Sequence, residues 1–295
     1  MDKKMIMDIC KDIQKKSGDG SIVMSGSSKV LSIPRWSTSI DNFDMILGGG
    51  MPKGRIVEIF GPESSGKTSL VYWLMSLHKL GVYIPVEGAY DADRAKAIGV
   101  QDKQMIVYRA QYGEEALNAV IRFAKAGVPI IAIDSVPACM PKEDVDKIEK
   151  SADNELRMGG TARLFSKTLP IIERIIEETG TTLILVNQVR AKMDAVMFGD
   201  KDDTPGGRAI KFYSSIRIKV ARRAWIEIPN KNPKVSSANE KVGLIMKVKA
   251  VKNKTANPYG EAELPFLFDR GFISFDDIKP LRLELMKERK KMYGV

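Results

Sequence analysis

Eight residues constrain this chain more than any others: Gly61-Pro62-Glu63-Ser64-Ser65-Gly66-Lys67-Thr68. They follow the short apolar run Ile56-Val57-Glu58-Ile59-Phe60 and precede an apolar helix pattern from Ser69. The run matches in full the glycine-rich loop that cradles nucleotide phosphates, and its strand-before, helix-after context is the one that loop requires. Glycine lets backbone N–H groups turn inward around phosphate oxygens. A helix starting near Lys67 aims its positive dipole end at the same anion. Lys67 is then expected to reach the β- and γ-phosphates, and Thr68 to offer its hydroxyl to Mg²⁺. The expected nucleotide contacts are Gly61, Pro62, Glu63, Ser64, Ser65, Gly66, Lys67 and Thr68, with Ser69 behind them.

The pattern around the loop alternates strands and helices. Strands are expected at Val82 to Val86, Met105 to Tyr108, Val128 to Ile133 and Thr181 to Val186. Helices are expected at Ser69 to Lys79, Asp91 to Ile98, Glu114 to Ala126 and Gly160 to Thr179, the last with Pro170 as a possible kink. Such alternation predicts an α/β fold with a mostly parallel central sheet flanked by helices. After residue 210 the runs Ile216 to Ala221, Val242 to Val251 and Glu261 to Phe268 lack intervening helices, which predicts added antiparallel strands. The polar stretch Pro229 to Lys241 reads as a loop, and Leu281 to Met292 as a short basic helix. At the other end, Ile6, Ile9, Cys10 and Ile13 have helical spacing within Lys3 to Lys16. That helix either packs on its own core or is an arm that docks on a neighbouring subunit.

Further chemistry is expected at strand ends. Val128 to Ser135 is an apolar strand ending in Asp134, where this type of site holds its Mg²⁺. Hydrolysis needs a group that orients or deprotonates water. Glu87, just after the second strand of the series, is well placed, and Glu63 less so. Gln188, at the end of another strand, is either a γ-phosphate sensor or an ordinary strand-end amide.

Composition bounds the partners. The 295 residues are 44% hydrophobic, enough for a sizeable core, and carry a formal net charge of +10. That balance points to nucleic acid or another anionic surface, or to an unspecialised basic one. Cys10 and Cys139 lack metal-like spacing, so neither a zinc site nor a disulfide framework is expected. His78 is the only histidine and reads as structural. No apolar run approaches the roughly 20 residues that span a bilayer, and a cytoplasmic protein is expected.

Several blocks go beyond the phosphate loop. Gly54 to Phe60 running into Gly61 to Thr68 resembles the bacterial RecA-type recombinases. So do Ile133-Asp134-Ser135-Val136, Asn187-Gln188-Val189-Arg190, Val196-Met197-Phe198-Gly199, Thr204 to Tyr213 and Val251-Lys252-Asn253-Lys254. The likeness covers roughly residues 18 to 275 in order and spacing. It implies a RecA-like P-loop ATPase core with ATP and Mg²⁺ as cofactors. It implies a DNA-dependent ATPase that forms helical filaments on single-stranded DNA, with ATP between subunits. Such a filament pairs with homologous double-stranded DNA and exchanges strands in recombination, repair and the response to DNA damage.

Residue by residue, the resemblance makes Glu87 the water-activating glutamate. Gln188 becomes the amide that couples the γ-phosphate to a DNA-binding loop. Lys252 and Lys254 become lysines that reach the neighbouring subunit's ATP. Asp91 matches an acid near the adenine. Arg94 stands where the family often stacks a tyrosine on the base, a job arginine can do. Two loops are implied to hold DNA. The first, about Lys150 to Gly160, brings Arg157 and Met158, with Arg163 nearby. The second, about Val189 to Arg208, carries Arg190, Lys192, Met197, Phe198, Lys201, Gly206, Gly207 and Arg208. Basic side chains there neutralise phosphates and Met or Phe stacks on bases.

The chain departs from the family at Pro85-Val86-Glu87, and it stops soon after Phe275 with Lys287-Glu288-Arg289-Lys290-Lys291. The implied organisation is an N-terminal docking helix over residues 1–37, the ATPase core over 38–275 and a basic helix over 276–295. The resemblance thus implies a compact form lacking most of the usual C-terminal domain and its acidic tail, of the kind a bacteriophage encodes for its host's cytoplasm. Alternatives are a ring-forming or regulatory ATPase of the same fold, or an ATP-binding DNA-coating protein with little turnover.

Overall fold

A computed structural model describes residues 32–88, 90–151, 159–191, 202–228 and 239–293, together with Met5, Asp8, Ile9, Lys11, Asp12 and Lys15, all six helical. The chain divides into two compact units, Met1–Pro34 and Arg35–Val295.

The second unit is built on a nine-stranded sheet among the described residues. Its strands are β3 (Ile56–Gly61), β4 (Gly81–Pro85), β5 (Met105–Val107), β6 (Ile130–Asp134), β7 (Thr182–Gln188), β10 (Ile216–Ile228), β11 (Glu240–Asn253), β12 (Glu261–Leu267) and β13 (Gly271–Phe272). The pairs β1 (Arg35–Trp36) with β2 (Met51–Pro52), and β8 (Arg190–Ala191) with β9 (Asp202–Asp203), form two small ribbons beside it. The order is β13-β12-β11-β10-β3-β7-β6-β4-β5. From β10 to β5 all pairs are parallel, and from β10 to β13 all are antiparallel. The expected α/β class, a mainly parallel sheet with antiparallel additions, is what forms.

Helices cover both faces. Strand side chains alternate between faces, so Val57 and Ile59 join a core with Phe43, Leu47, Leu70 and Leu74. Ile56 joins the opposite core, with Leu117, Phe165, Leu169 and Ile210. The first face takes α1 (Asp41–Leu47), α2 (Lys67–Ser76) and α3 (Ala92–Ala97). The second takes α4 (Gly113–Lys125), α6 (Gly160–Thr179) and α7 (Gly207–Tyr213). α5 (Lys142–Lys150) follows a tight turn after β6. α8 (Ile278–Tyr293) lays Leu285 against Ile226, Ile228 and Leu267 at the far end of the antiparallel strands.

Several expectations shift. The Pro170 kink does not divide α6, which runs unbroken from Gly160 to Thr179. β10 and β11 extend well past their apolar runs, because each strand pairs with the other along nearly its whole length. Glu240 and Lys241, read as loop, are therefore in a strand, while 229–238 lie outside the described residues. Helices α1, α5 and α7 have no counterpart in the sequence reading. His78 lies just past α2, its ring edge against Trp36 at 4.4 Å between centroids.

Candidate nucleotide site and nucleic-acid interface

The parallel strands deliver their carboxyl ends to one rim of the sheet, where ligands of such folds bind. β3 ends in the glycine-rich loop, β4 leads to Glu87, β6 ends in Asp134 and β7 in Asn187-Gln188. The loop is tightly built. A Cβ at Gly61 would stand 1.9 Å from the Val220 carbonyl oxygen, which no side chain tolerates. Gly66 caps α2 at φ +95°, a left-handed conformation that favours glycine. α2 begins immediately at Lys67. The Ser65 hydroxyl is buried with no hydrogen-bond partner among the described residues, a donor that an acceptor seated on the loop would satisfy.

Around the loop lies a cleft of about 620 Å³, lined by Glu63, Ser64, Lys67, Thr68, Glu87, Asp91, Arg94, Asp134 and Gln188 among others. Lys67 Nζ donates to the carbonyls of Gly61 at 3.1 Å and Pro62 at 2.7 Å. Burial lowers its pKa from the ordinary lysine value, and Asp134, Glu87 and Glu63 act the other way. Thr68 Oγ1 donates to Asp134 Oδ2 at 2.8 Å, and the Tyr83 hydroxyl donates to the same oxygen at 2.9 Å. Burial raises the Asp134 pKa, and the two hydroxyl donors oppose that rise.

Glu87 is held from both sides. The Val86 and Glu87 N–H groups donate to the Asp134 carbonyl at 2.8 and 3.0 Å, fixing the backbone beyond β4. Its carboxylate accepts from Gln188 Nε2 at 2.9 and 2.8 Å and makes a short contact with the Ser135 hydroxyl. Glu87 and Gln188, separated by 101 positions in the chain, therefore meet directly. Asp91 caps α3 by accepting from the Arg94 N–H at 2.9 Å. The Arg94 guanidinium donates to Ser69 Oγ at 2.7 Å, at the cleft wall. Sequence reading missed Tyr83 and Ser135. The first reads as strand core, and the second is overshadowed by its neighbour Asp134.

Lys252 and Lys254 lie away from this cleft. Lys252 Nζ donates to the carbonyls of Lys211 and Phe212 at 2.5 and 3.0 Å, and Lys254 Nζ to Phe212 at 2.9 Å. Both ammonium groups thus sit on the C-terminal carbonyls of α7, where a helix dipole favours positive charge. Even so, burial first, then Lys254 and Arg217, push the Lys252 pKa down to about 8 from its ordinary 10.5. The unfolded chain then holds this proton more tightly than the folded one. The resulting penalty is fully present below pH about 8 and is relieved as pH rises towards 10.5. Urea titrations of the wild-type protein and Lys252→Met across that window should show the wild type gaining stability relative to the variant as pH rises. A constant difference would contradict the burial of this charge.

Of the expected DNA contacts, Arg157, Met158, Lys192, Met197, Phe198 and Lys201 lie outside the described residues, as does the Arg190 side chain. The flanks are described. Arg163 is exposed in the first turn of α6, and Arg208 in the first turn of α7. A Cβ at Gly207 would stand 2.7 Å from Ala162 Cβ, so the two helix starts adjoin. The ends of both expected loops therefore converge on one side of the sheet. Gly206 at φ +88° and Gly207 at φ +76° make the turn into α7. The ribbon of β8 and β9 closes the base of the 192–201 stretch.

A phosphate loop at the carboxyl end of a central parallel strand, with a buried acid on β6 touching its threonine, defines a P-loop nucleoside triphosphatase. The RecA N-terminal domain model matches residues 4–273. The Protein RecA of Thermus aquaticus is 37% identical over 275 residues, which cover 91% of this chain and 77% of that protein. The Protein RecA of Campylobacter fetus subsp. fetus is 36% identical over 276 residues, 91% of this chain and 76% of its own length. That of Nautilia profundicola is 38% identical over 267 residues, covering 88% and 73%. The chain belongs to the RecA family. It is accordingly a DNA-dependent ATPase of the recombinase class, using ATP and acting on DNA in recombination and repair. No helix among the described residues is long and apolar enough to cross a membrane.

Proposed function

We propose that this protein assembles as a helical filament on single-stranded DNA, pairs it with homologous duplex and exchanges strands, with ATP bound at subunit interfaces in the cytoplasm. In this reading residues 1–37 are a docking arm, 38–275 the ATPase core and 276–295 a basic helix. The observation that carries it is the contact of Gln188 Nε2 with both Glu87 oxygens. It joins the residue suited to activate water to the strand end that opens the 189–208 segment.

The phosphates of ATP would lie along Gly61, Pro62, Glu63, Ser64, Ser65, Gly66, Lys67 and Thr68, with Ser69 behind. The orphaned Ser65 hydroxyl supports this. Thr68 and Asp134 would hold Mg²⁺. Among the described residues no cluster of three or more His, Cys, Asp or Glu could hold a metal, and none is needed. Magnesium bound beside phosphates takes one or two carboxylates and keeps water. It supplies charge neutralisation on the phosphate oxygens. Asp91 and Arg94 would flank the adenine, Arg94 turning from Ser69 to stack on the base.

Glu87 takes a proton from the attacking water as its oxygen approaches the γ-phosphorus, and the bond to the β-phosphate oxygen breaks. ADP and phosphate leave. Lys67 within the subunit, and Lys252 and Lys254 from a neighbour, stabilise the charge that builds on the γ-oxygens. For that the two lysines leave the α7 carbonyls they hold in the lone chain. Gln188 senses the γ-phosphate and passes its presence to the DNA-holding segments, through Arg157, Met158 and Arg163 on one side. On the other stand Arg190, Lys192, Met197, Phe198, Lys201, Gly206, Gly207 and Arg208.

Contacts of this kind release counterions. Log affinity for single-stranded DNA should therefore fall linearly with log salt, at about 0.7 per phosphate neutralised. Fluorescence anisotropy of labelled oligonucleotide over a salt series measures the slope. A flat response would contradict the basic-segment reading.

A further inference from the structure

Glu58 sits midway along β3, the strand that enters the phosphate loop, and none of its surface is exposed. A carboxylate in that position opposes folding unless it is fully bonded. The short ion pair with Arg217 of β10 supplies one partner. The second is Asn187, whose Nδ2 donates to Glu58 Oε1 at 2.9 Å. Neither contact ends there. Asn187 Nδ2 also donates to the Pro205 carbonyl at 2.9 Å, and Asn187 Oδ1 accepts from the Gln188 N–H at 3.0 Å. Arg217 reaches Thr204 Oγ1 at 3.3 Å, its guanidinium lying 4.6 Å over the Phe60 ring. Arg217 is also the cross-strand partner of Lys252.

Glu58 thus stands at a junction. One route runs through Asn187 and Gln188 to Glu87. Another runs through Asn187 and Arg217 to Thr204 and Pro205, immediately before the Gly206-Gly207 turn. An apolar strand would pack as well without either charge, and Asn187, which completes the bonding of Glu58, bonds at the same time to the Pro205 carbonyl and the Gln188 N–H. We propose that Glu58 is a positioning residue that couples the nucleotide cleft to the segment entering α7, so that γ-phosphate and DNA each influence the other's binding through its two partners. Shared hydrogen bonds on a buried anion suit this, because shifting one donor changes the geometry left for the other.

The inference rests on the roles proposed for Glu87, Gln188 and the 189–208 segment. Its test is Glu58→Gln, which keeps the shape and removes the charge. Two ratios are read: ATP turnover with single-stranded DNA over turnover without it, and DNA affinity with a non-hydrolysable ATP analogue over affinity without it. DNA-free turnover should stay within about twofold of wild type, while both ratios fall to within about twofold of one, the value for uncoupled sites. A merely structural residue would lower the melting temperature and leave both ratios intact, and that result in a folded variant overturns the proposal. Should Glu58→Gln not fold, Arg217→Lys keeps a charge beside Glu58 while losing the reach to Thr204, and unchanged ratios there overturn it equally. Gln188→Asn serves as the control. Wild-type ratios in that variant would sink the underlying site reading. Lost coupling there with intact coupling in Glu58→Gln would sink this inference alone.

Discussion

Replacing Lys67 with Ala is expected to reduce ATP turnover by about 10²- to 10³-fold, the loss typical when a charge-stabilising donor is removed from a transition state. Lys67 leaves the first turn of α2 and folds back over the loop, its ammonium 2.7 Å from the Pro62 carbonyl. In that place it faces any phosphate seated on the loop. Asp134, Glu87 and Glu63 all favour its charged form against the cost of burial. Alanine keeps the helix start, so the variant should fold, as circular dichroism would verify. Steady-state phosphate release measures the effect, and normal turnover would refute the assignment of the cleft.

The second large effect is at Glu87. Glu87→Gln retains the side-chain length and polar contacts but cannot accept a proton at neutral pH. Turnover should fall by about 10²- to 10⁴-fold, the usual worth of a general base, while nucleotide binding and assembly on DNA persist. The surroundings argue for chemistry over structure: Glu87 is exposed in the cleft, and its partners Ser135 and Gln188 both line the same space. Fluorescent-nucleotide binding beside single-turnover hydrolysis separates the two. Failure to fold or to bind nucleotide would make Glu87 a structural residue.

Much of the fold was legible because its strands are buried on both faces and read as apolar runs: β3, β6 and β7 stand where Ile56 to Phe60, Val128 to Ile133 and Thr181 to Val186 predicted. Elements escaped where periodicity is short or masked. α1 has seven residues and buries Phe43 and Leu47 only, too few for a helical pattern. α5 is nearly all charged, and α7 opens on a Gly-Gly pair that reads as a turn. β10 outruns its apolar core because beyond Lys219 it leaves β3 and, among the described residues, pairs with β11 alone, so an edge strand there can expose Arg222 and Arg223.

The site divides in the same way. The loop, Asp134 and Glu87 were visible because each lies at a strand end where chemistry is expected. The links between them were not, because they join residues distant in sequence: Tyr83 to Asp134, Ser135 to Glu87, Arg217 to Glu58. Glu58 alone left a trace, an acid in the middle of a strand otherwise made of Ile, Val and Phe. An unexplained charge in a doubly buried strand signals a buried partner, and here the partners lead to both ends of the site.

ATP hydrolysis measured with and without single-stranded DNA, on samples imaged by electron microscopy in parallel, tests the central claim most directly. The account predicts turnover that rises with DNA, together with open helical filaments. Turnover indifferent to DNA, or closed rings in place of filaments, would contradict it.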